Sequence, residues 1–159
     1  MPKSKRPSER FIQVPFSVLN SPAYRALGIS AKVLFFDLRT RYNGSNNGNI
    51  EATLSTLVHR GWKSSATLSK ALAELMAVGF IARTRKGGIG RGVGVCSLYR
   101  FTDLDSQPMP NLGISGHSAT KDYAQYETFS EAKTALDLGV LRIRNEAKSS
   151  AYKKRNFNK

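Results

Sequence analysis

The chain of 159 residues is short of several things, and each shortage narrows what it can be. A single cysteine, Cys96, excludes an internal disulfide and fits a reducing compartment. His59 and His117 lie far apart in the sequence, so with one cysteine they make a poor zinc ligand set. No apolar run approaches the ~20 residues needed to cross a bilayer, so no membrane association is expected. The N-terminal MPKSKRPSER is basic, but the apolar core of about 7–15 residues that a secretory signal needs does not follow it. Acids are scarce, at 11. Two-metal phosphoryl chemistry needs converging carboxylates. Asp103 and Asp105 sit beyond a strand end, and a loop separates Asp37 from Glu51, so no catalytic set and no enzyme are expected. The Asn/Gly run 43–49 has no acid until Glu51, which excludes a calcium loop of the EF-hand kind. No metal and no cofactor are expected. Hydrophobic residues make up 40%, slightly lean, so part of the chain is expected to add little to a core.

Positive charge is what the chain has in excess, with a net +14 and a pI near 10.3. Residues 1–102 carry 16 Lys/Arg against four acids, net +12, whereas 103–159 carry nine against seven, net +2. The excess therefore lies on the first two thirds. It favours a polyanionic partner, DNA or RNA before a membrane.

The stretch Ser64–Val78 organises the rest. Leu68, Ala71, Leu72, Leu75 and Met76 recur at helical spacing and form one apolar stripe. Lys63, Thr67, Lys70 and Glu74 fall toward the opposite side. Ser64 can cap the N-terminus and Gly79 stop the helix. Upstream, Ile50, Leu54, Leu57 and Val58 predict a first helix, followed by the turn His59-Arg60-Gly61-Trp62 with Gly61 left-handed and Trp62 packed inward. Downstream, Phe80–Lys86 and Val95–Thr102 read as two strands around a tip with five glycines in eight residues. That tip lacks the Gly-Lys-Ser/Thr ending of a P-loop, and a strand follows it. Helix, tight turn, helix, then a basic hairpin is the pattern of a winged helix-turn-helix, whose second helix enters the DNA major groove.

Elsewhere, 1–10 reads as a flexible basic arm. Phe11, Val14, Phe16 or Leu19 is expected to lie against the domain. Ser21-Pro22 starts a short helix. Ser30 is expected to cap a central helix Ala31–Tyr42, with Ala31, Leu34, Phe35, Leu38 and Tyr42 on one stripe widened by Val33 and Phe36. Arg39 and Arg41 suit its C-terminus by charge. After Thr102 the character changes. Asp103–Thr120 reads as a linker or an arm on the domain, Ser130–Leu138 as a short helix stopped by Gly139, Val140–Ile143 as a strand or a continuation, and Lys148–Lys159 as a basic tail. The predicted organisation is α+β: a winged helix-turn-helix over 11–102, with a three-helix core and a β-hairpin wing, between the arm and an extension over 103–159.

The runs SPAYRALGISAKVLFFDLRTRYNG, HRGW and TLSKALAELMAVGFI, with the hairpin after them, resemble winged helix-turn-helix proteins of bacterial mobile elements. These include phage replication proteins of the protein O type, plasmid initiators and small regulators. The resemblance implies a bacterial or phage origin and a cytoplasmic setting, in a bacterial cell or an infected host. It implies DNA-reading positions at Ser64, Ser65, Thr67 and Lys70, and wing contacts at Arg85, Lys86 and Arg91. Lys63 and Arg83 join them by charge. The helix has few Asn, Gln and Arg, the usual base readers, so its specificity is expected either to be weak or to rest on DNA shape. The expected function is duplex DNA binding, as a transcriptional regulator of a phage or plasmid. One alternative is an origin-binding replication initiator that meets the replication machinery. Another is a single-strand binder that stacks bases on Tyr99 and Phe101, although those aromatics are expected to pack under the helices. The sequence does not set the oligomeric state; a homodimer through the C-terminal extension is one option, with the Ser130–Leu138 helix as the candidate surface.

Overall fold

The structure, a computed structural model, describes residues 9–90 and 93–157. Three short helices open it: α1 (Phe16–Leu19), α2 (Pro22–Ala26) and α3 (Ile29–Arg39). A two-residue strand, β1 (Ile50–Glu51), leads to α4 (Leu54–Leu57) and then α5 (Ser65–Ala77). Four strands follow, β2 (Ile81–Arg85), β3 (Gly88–Gly90), β4 (Val93–Val95) and β5 (Leu98–Phe101), and a long helix, α6 (Phe129–Phe157), ends the fold. The architecture is mixed α+β. A three-stranded antiparallel sheet has the order β1-β5-β2, and β3 pairs with β4 in a separate ribbon.

Local chemistry explains the first elements. Ser21 Oγ accepts from the Tyr24 amide at 3.2 Å and Pro22 occupies the first helical position, so α2 starts where a cap and a fixed φ coincide. In α1, Val18 is the buried anchor, whereas Phe11 and Phe16 are both 81% exposed. The helix α3 begins two residues earlier than expected. Gly28, not Ser30, is its N-cap, and the Gly28 amide donates to Glu74 Oε2 at 2.8 Å. Glu74 therefore belongs to the buried side of α5, as a distant anion at the α3 N-terminus, not to the solvent side. Ala31, Leu34, Phe35 and Leu38 of α3 are buried, while Val33 stays exposed.

Aromatic rings form the centre. Phe35 meets Phe80 and Phe101 edge-on at 5.6 and 5.9 Å between centroids, and Tyr123 stacks on Phe80 at 4.9 Å. Arg39 is no solvated helix-end cation. Its guanidinium lies 4.2 Å from the Phe101 ring centre and 5.0 Å from that of Phe35, and it pairs with Asp103 at 2.6 Å. Arg41 donates to the Glu51 and Thr56 carbonyls, tying β1 and α4 to the end of α3.

Ile50 is not part of a helix. It pairs with Tyr99 across the sheet, and α4 starts only at Leu54. The loop before it turns at Gly44 and Gly48, both with positive φ, and folds the Asn47 side chain inward. Asn47 Nδ2 donates to the carbonyls of Phe101, Leu104 and Asp105, and Oδ1 accepts from the Phe101 amide at 2.7 Å.

The expected pair of long strands is broken into two ladders. Their register shifts between Arg83 and Arg85, and Gly87 crosses where a Cβ would stand 2.7 Å from the Ser97 nitrogen. The segment after Thr102 lies on the domain as an arm. Bridges join Ser106 to His117 and Met109 to Ile114, and Ile114 is buried.

The short helix expected over Ser130–Leu138 is the first third of α6. It starts one residue earlier, at a reciprocal cap: Thr128 Oγ1 accepts from the Glu131 amide, and Glu131 Oε2 accepts from those of Glu127 and Thr128. Gly139 does not stop it. A Cβ there would lie 2.6 Å from Ala77 Cβ, so this glycine lets two helices touch. Val140–Ile143 and the expected basic tail, as far as Phe157, continue the same helix. Among the described residues no helix is long and apolar enough to cross a membrane.

Candidate nucleic-acid interface

The α4–α5 turn is held rigidly. A 3₁₀ turn at Val58–Arg60 ends on Gly61, whose φ of 92° is left-handed, as expected there. Trp62 is buried and its Nε1 donates to Asp37 Oδ2 at 2.8 Å. Asp37 also faces Arg60 at 3.5 Å. These bonds tie the turn to α3 and fix how the start of α5 projects.

At that start Ser64 Oγ accepts from the Thr67 amide at 3.2 Å, a cap worth about 1 kcal/mol. One face of α5 is committed to the interior through Leu68, Ala71, Leu72 and Leu75. Lys63, Ser64, Ser65, Thr67 and Lys70 are all exposed. All but Ser65 border two depressions. Lys63, Ser64 and Thr67 line a cleft of about 360 Å³ beside Ile29 and Val33. Lys70 lines a groove of about 270 Å³ on the other side, between α5 and α6. The expected reading positions are all exposed but divided: Lys63, Ser64 and Thr67 line the first cleft, Lys70 the second, and Ser65 neither.

The hairpin residues divide. Arg83 and Lys86 are exposed and line a groove of about 530 Å³ with α6. Arg85 is engaged in its own hairpin: its Nη2 donates to the Cys96 carbonyl at 3.2 Å, and its Nε is buried without a partner. Arg85 thus ties the hairpin to itself before it contributes to any contact. Arg91 lies outside the described residues, as do Lys3, Lys5 and Arg6 of the arm.

Three cationic or acidic groups that sequence patterning passed over also reach this region: Arg142, Arg144 and Glu146 of α6. The only sequence signal for them is the low acid content of α6 after Asp137, where Glu146 stands alone. Tyr99 and Phe101 are 5% and 1% exposed, so neither ring is free to stack a base.

Three of the aspartates have structural partners. Asp37 holds Trp62, Asp103 holds Arg39, and Asp105 Oδ1 accepts from the Ala119 amide at 2.7 Å. Among the described residues no three His, Cys, Asp or Glu side chains converge on a metal position. The perturbed titrations lie in the core. Burial pushes the Tyr24, Tyr123 and Tyr126 phenols above their ordinary value of 10.0. For Tyr123 the charge of Asp103 adds to this and that of Arg39 opposes it.

No described protein family, curated protein or solved structure matches the chain.

Proposed function

We propose that the chain is a winged helix-turn-helix protein that binds duplex DNA and regulates transcription of a bacterial mobile element, a phage or a plasmid. In this reading α4, the turn and α5 are the helix-turn-helix, and the β2–β5 hairpin with its β3–β4 tip is the wing. The observation that carries it is the exposed row Lys63, Ser64, Ser65, Thr67 and Lys70 at the capped start of a helix whose other face is buried. The strand order β1-β5-β2, with β1 between α3 and α4, supports the winged architecture.

Lys63 and Lys70 contact phosphates or guanine edges. Ser65 and Thr67 donate from their hydroxyls. Ser64, whose Oγ is occupied by the cap, acts by holding the first turn so that its free amides meet a phosphate. Arg83 and Lys86 grip the flanking backbone. The burial of Tyr99 and Phe101 weighs against a single-strand stacking platform. The reading sets the protein in the cytoplasm of a bacterial cell or an infected host.

Selection of random duplex DNA by the purified protein, followed by sequencing, tests this. An enriched motif is expected. A palindrome would point to a homodimer, for which the exposed Leu138 and Leu141 of α6 offer a surface. Direct repeats would favour an origin-binding initiator over a regulator. Failure to retain duplex DNA would overturn the proposal.

A further inference from the structure

We propose that the second half of α6 is the far wall of the DNA-backbone site, so that a phosphodiester strand is seated between α6 and the α5–β2 face. The inference rests on the duplex-binding reading above.

The two grooves beside α6 are one trough. Both are lined by Met76, Arg83, Ile143 and Ala147, which makes a largely apolar floor. Lys70, Arg83 and Lys86 stand on the α5–β2 side, and Arg142 and Arg144 on the α6 side. Five cations thus face one carboxylate, Glu146. The ion pairs among the described residues join Arg39 to Asp103, Arg60 to Asp37 and Lys133 to Asp137, and use none of these six groups. Like charges held on two facing walls repel one another until an anion enters between them.

The arrangement fits a strand of phosphates better than a single small anion. The cations are spread along the trough and do not converge on one point, and Lys70 connects it to the Lys63–Thr67 row. A nucleic-acid strand presents one charge per ~3.4 Å of helix axis, so a spread row of cations meets several phosphates in succession. Gly139 enables this, because only a residue without Cβ lets α6 close on Ala77 and run back along α5. Glu146 opposes the phosphates and limits the affinity.

The test is duplex binding as a function of salt for the full chain and three variants. Losing two phosphate contacts in R142A/R144A lowers the log–log salt slope by about 1.8, or about sixtyfold in affinity at 0.1 M relative to 1 M salt. The pair R25A/K133A removes the same charge from positions that line neither groove, and is expected to stay within a few fold of wild type. E146Q is expected to tighten binding several-fold, a gain that misfolding cannot mimic. If R142A/R144A binds no more weakly than R25A/K133A, or if E146Q fails to tighten, the α6 wall is refuted and the duplex-binding reading stands. If wild type shows no salt-dependent duplex binding, both fall.

Discussion

Replacing Asp103 by alanine should damage the fold far more than its position at the end of a strand suggests. Arg39 and Asp103 have side chains only 3% and 7% exposed, with Nη2 and Oδ2 2.6 Å apart. The guanidinium lies over the Phe35 and Phe101 rings, and its Nε is already buried without a partner. Removing the carboxylate leaves a buried cation with two aromatic rings and no anion. Breaking a buried pair from one side costs about 3–5 kcal/mol, against a total stability on the order of 5–15 kcal/mol. Chemical denaturation of D103A should show that loss, and Tm should fall by roughly 6–20 °C at about 2–4 °C per kcal/mol. The double variant R39M/D103A should recover most of it, because an apolar chain of similar length fits between the rings and no charge is stranded. A D103A protein within about 1 kcal/mol of wild type would refute the reasoning.

Three further outcomes are expected. N47A should cost about 2–4 kcal/mol by denaturation, because it strands the buried Phe101 amide and withdraws a donor from three carbonyls. G139V should destabilise by about 1–3 kcal/mol despite valine's better helix propensity, since its side chain collides with Ala77; an unchanged melting curve would mean that α6 does not pack there. Stability should fall as pH rises beyond 10. The phenols of Tyr123 and Tyr126 are raised above 10.0 in the fold, so the folded state keeps protons that the unfolded chain releases, and their contribution is full below that pH. Y123F/Y126F should flatten the alkaline limb of Tm against pH; an identical limb would assign the loss to other groups.

What could be read in advance was what local chemistry decides. The Ser64 cap, the stripe from Leu68 to Leu75, left-handed Gly61 and the Ser21-Pro22 start all depend on neighbours a few residues away. The misreadings depended on distant partners. Ile50 follows the helical spacing of Leu54 and Leu57, yet Tyr99 across the sheet makes it a strand. Glu74 sits on a polar position of the helical wheel but answers the Gly28 amide, 46 residues away. Asn47 looks like loop composition and is a buried junction. Gly139 reads as a stop because glycine usually ends helices, whereas here its missing Cβ is what Ala77 requires. At the candidate interface, the exposed α5 row was visible from charge and spacing. The engagement of Arg85 with Cys96, and the approach of Arg142 and Arg144 on a helix folded back from far along the chain, were not.

The most direct test of duplex binding through α5 is a salt titration of wild type against K63A/K70A, on duplex and on single-stranded probes of the same sequence. With six or so phosphates neutralised, wild-type affinity for duplex should fall roughly a thousandfold between 50 and 200 mM salt, and the variant should lose about two phosphates' worth of slope. Duplex should also outcompete the single strand. A flat salt response, or a preference for the single strand, would contradict the account.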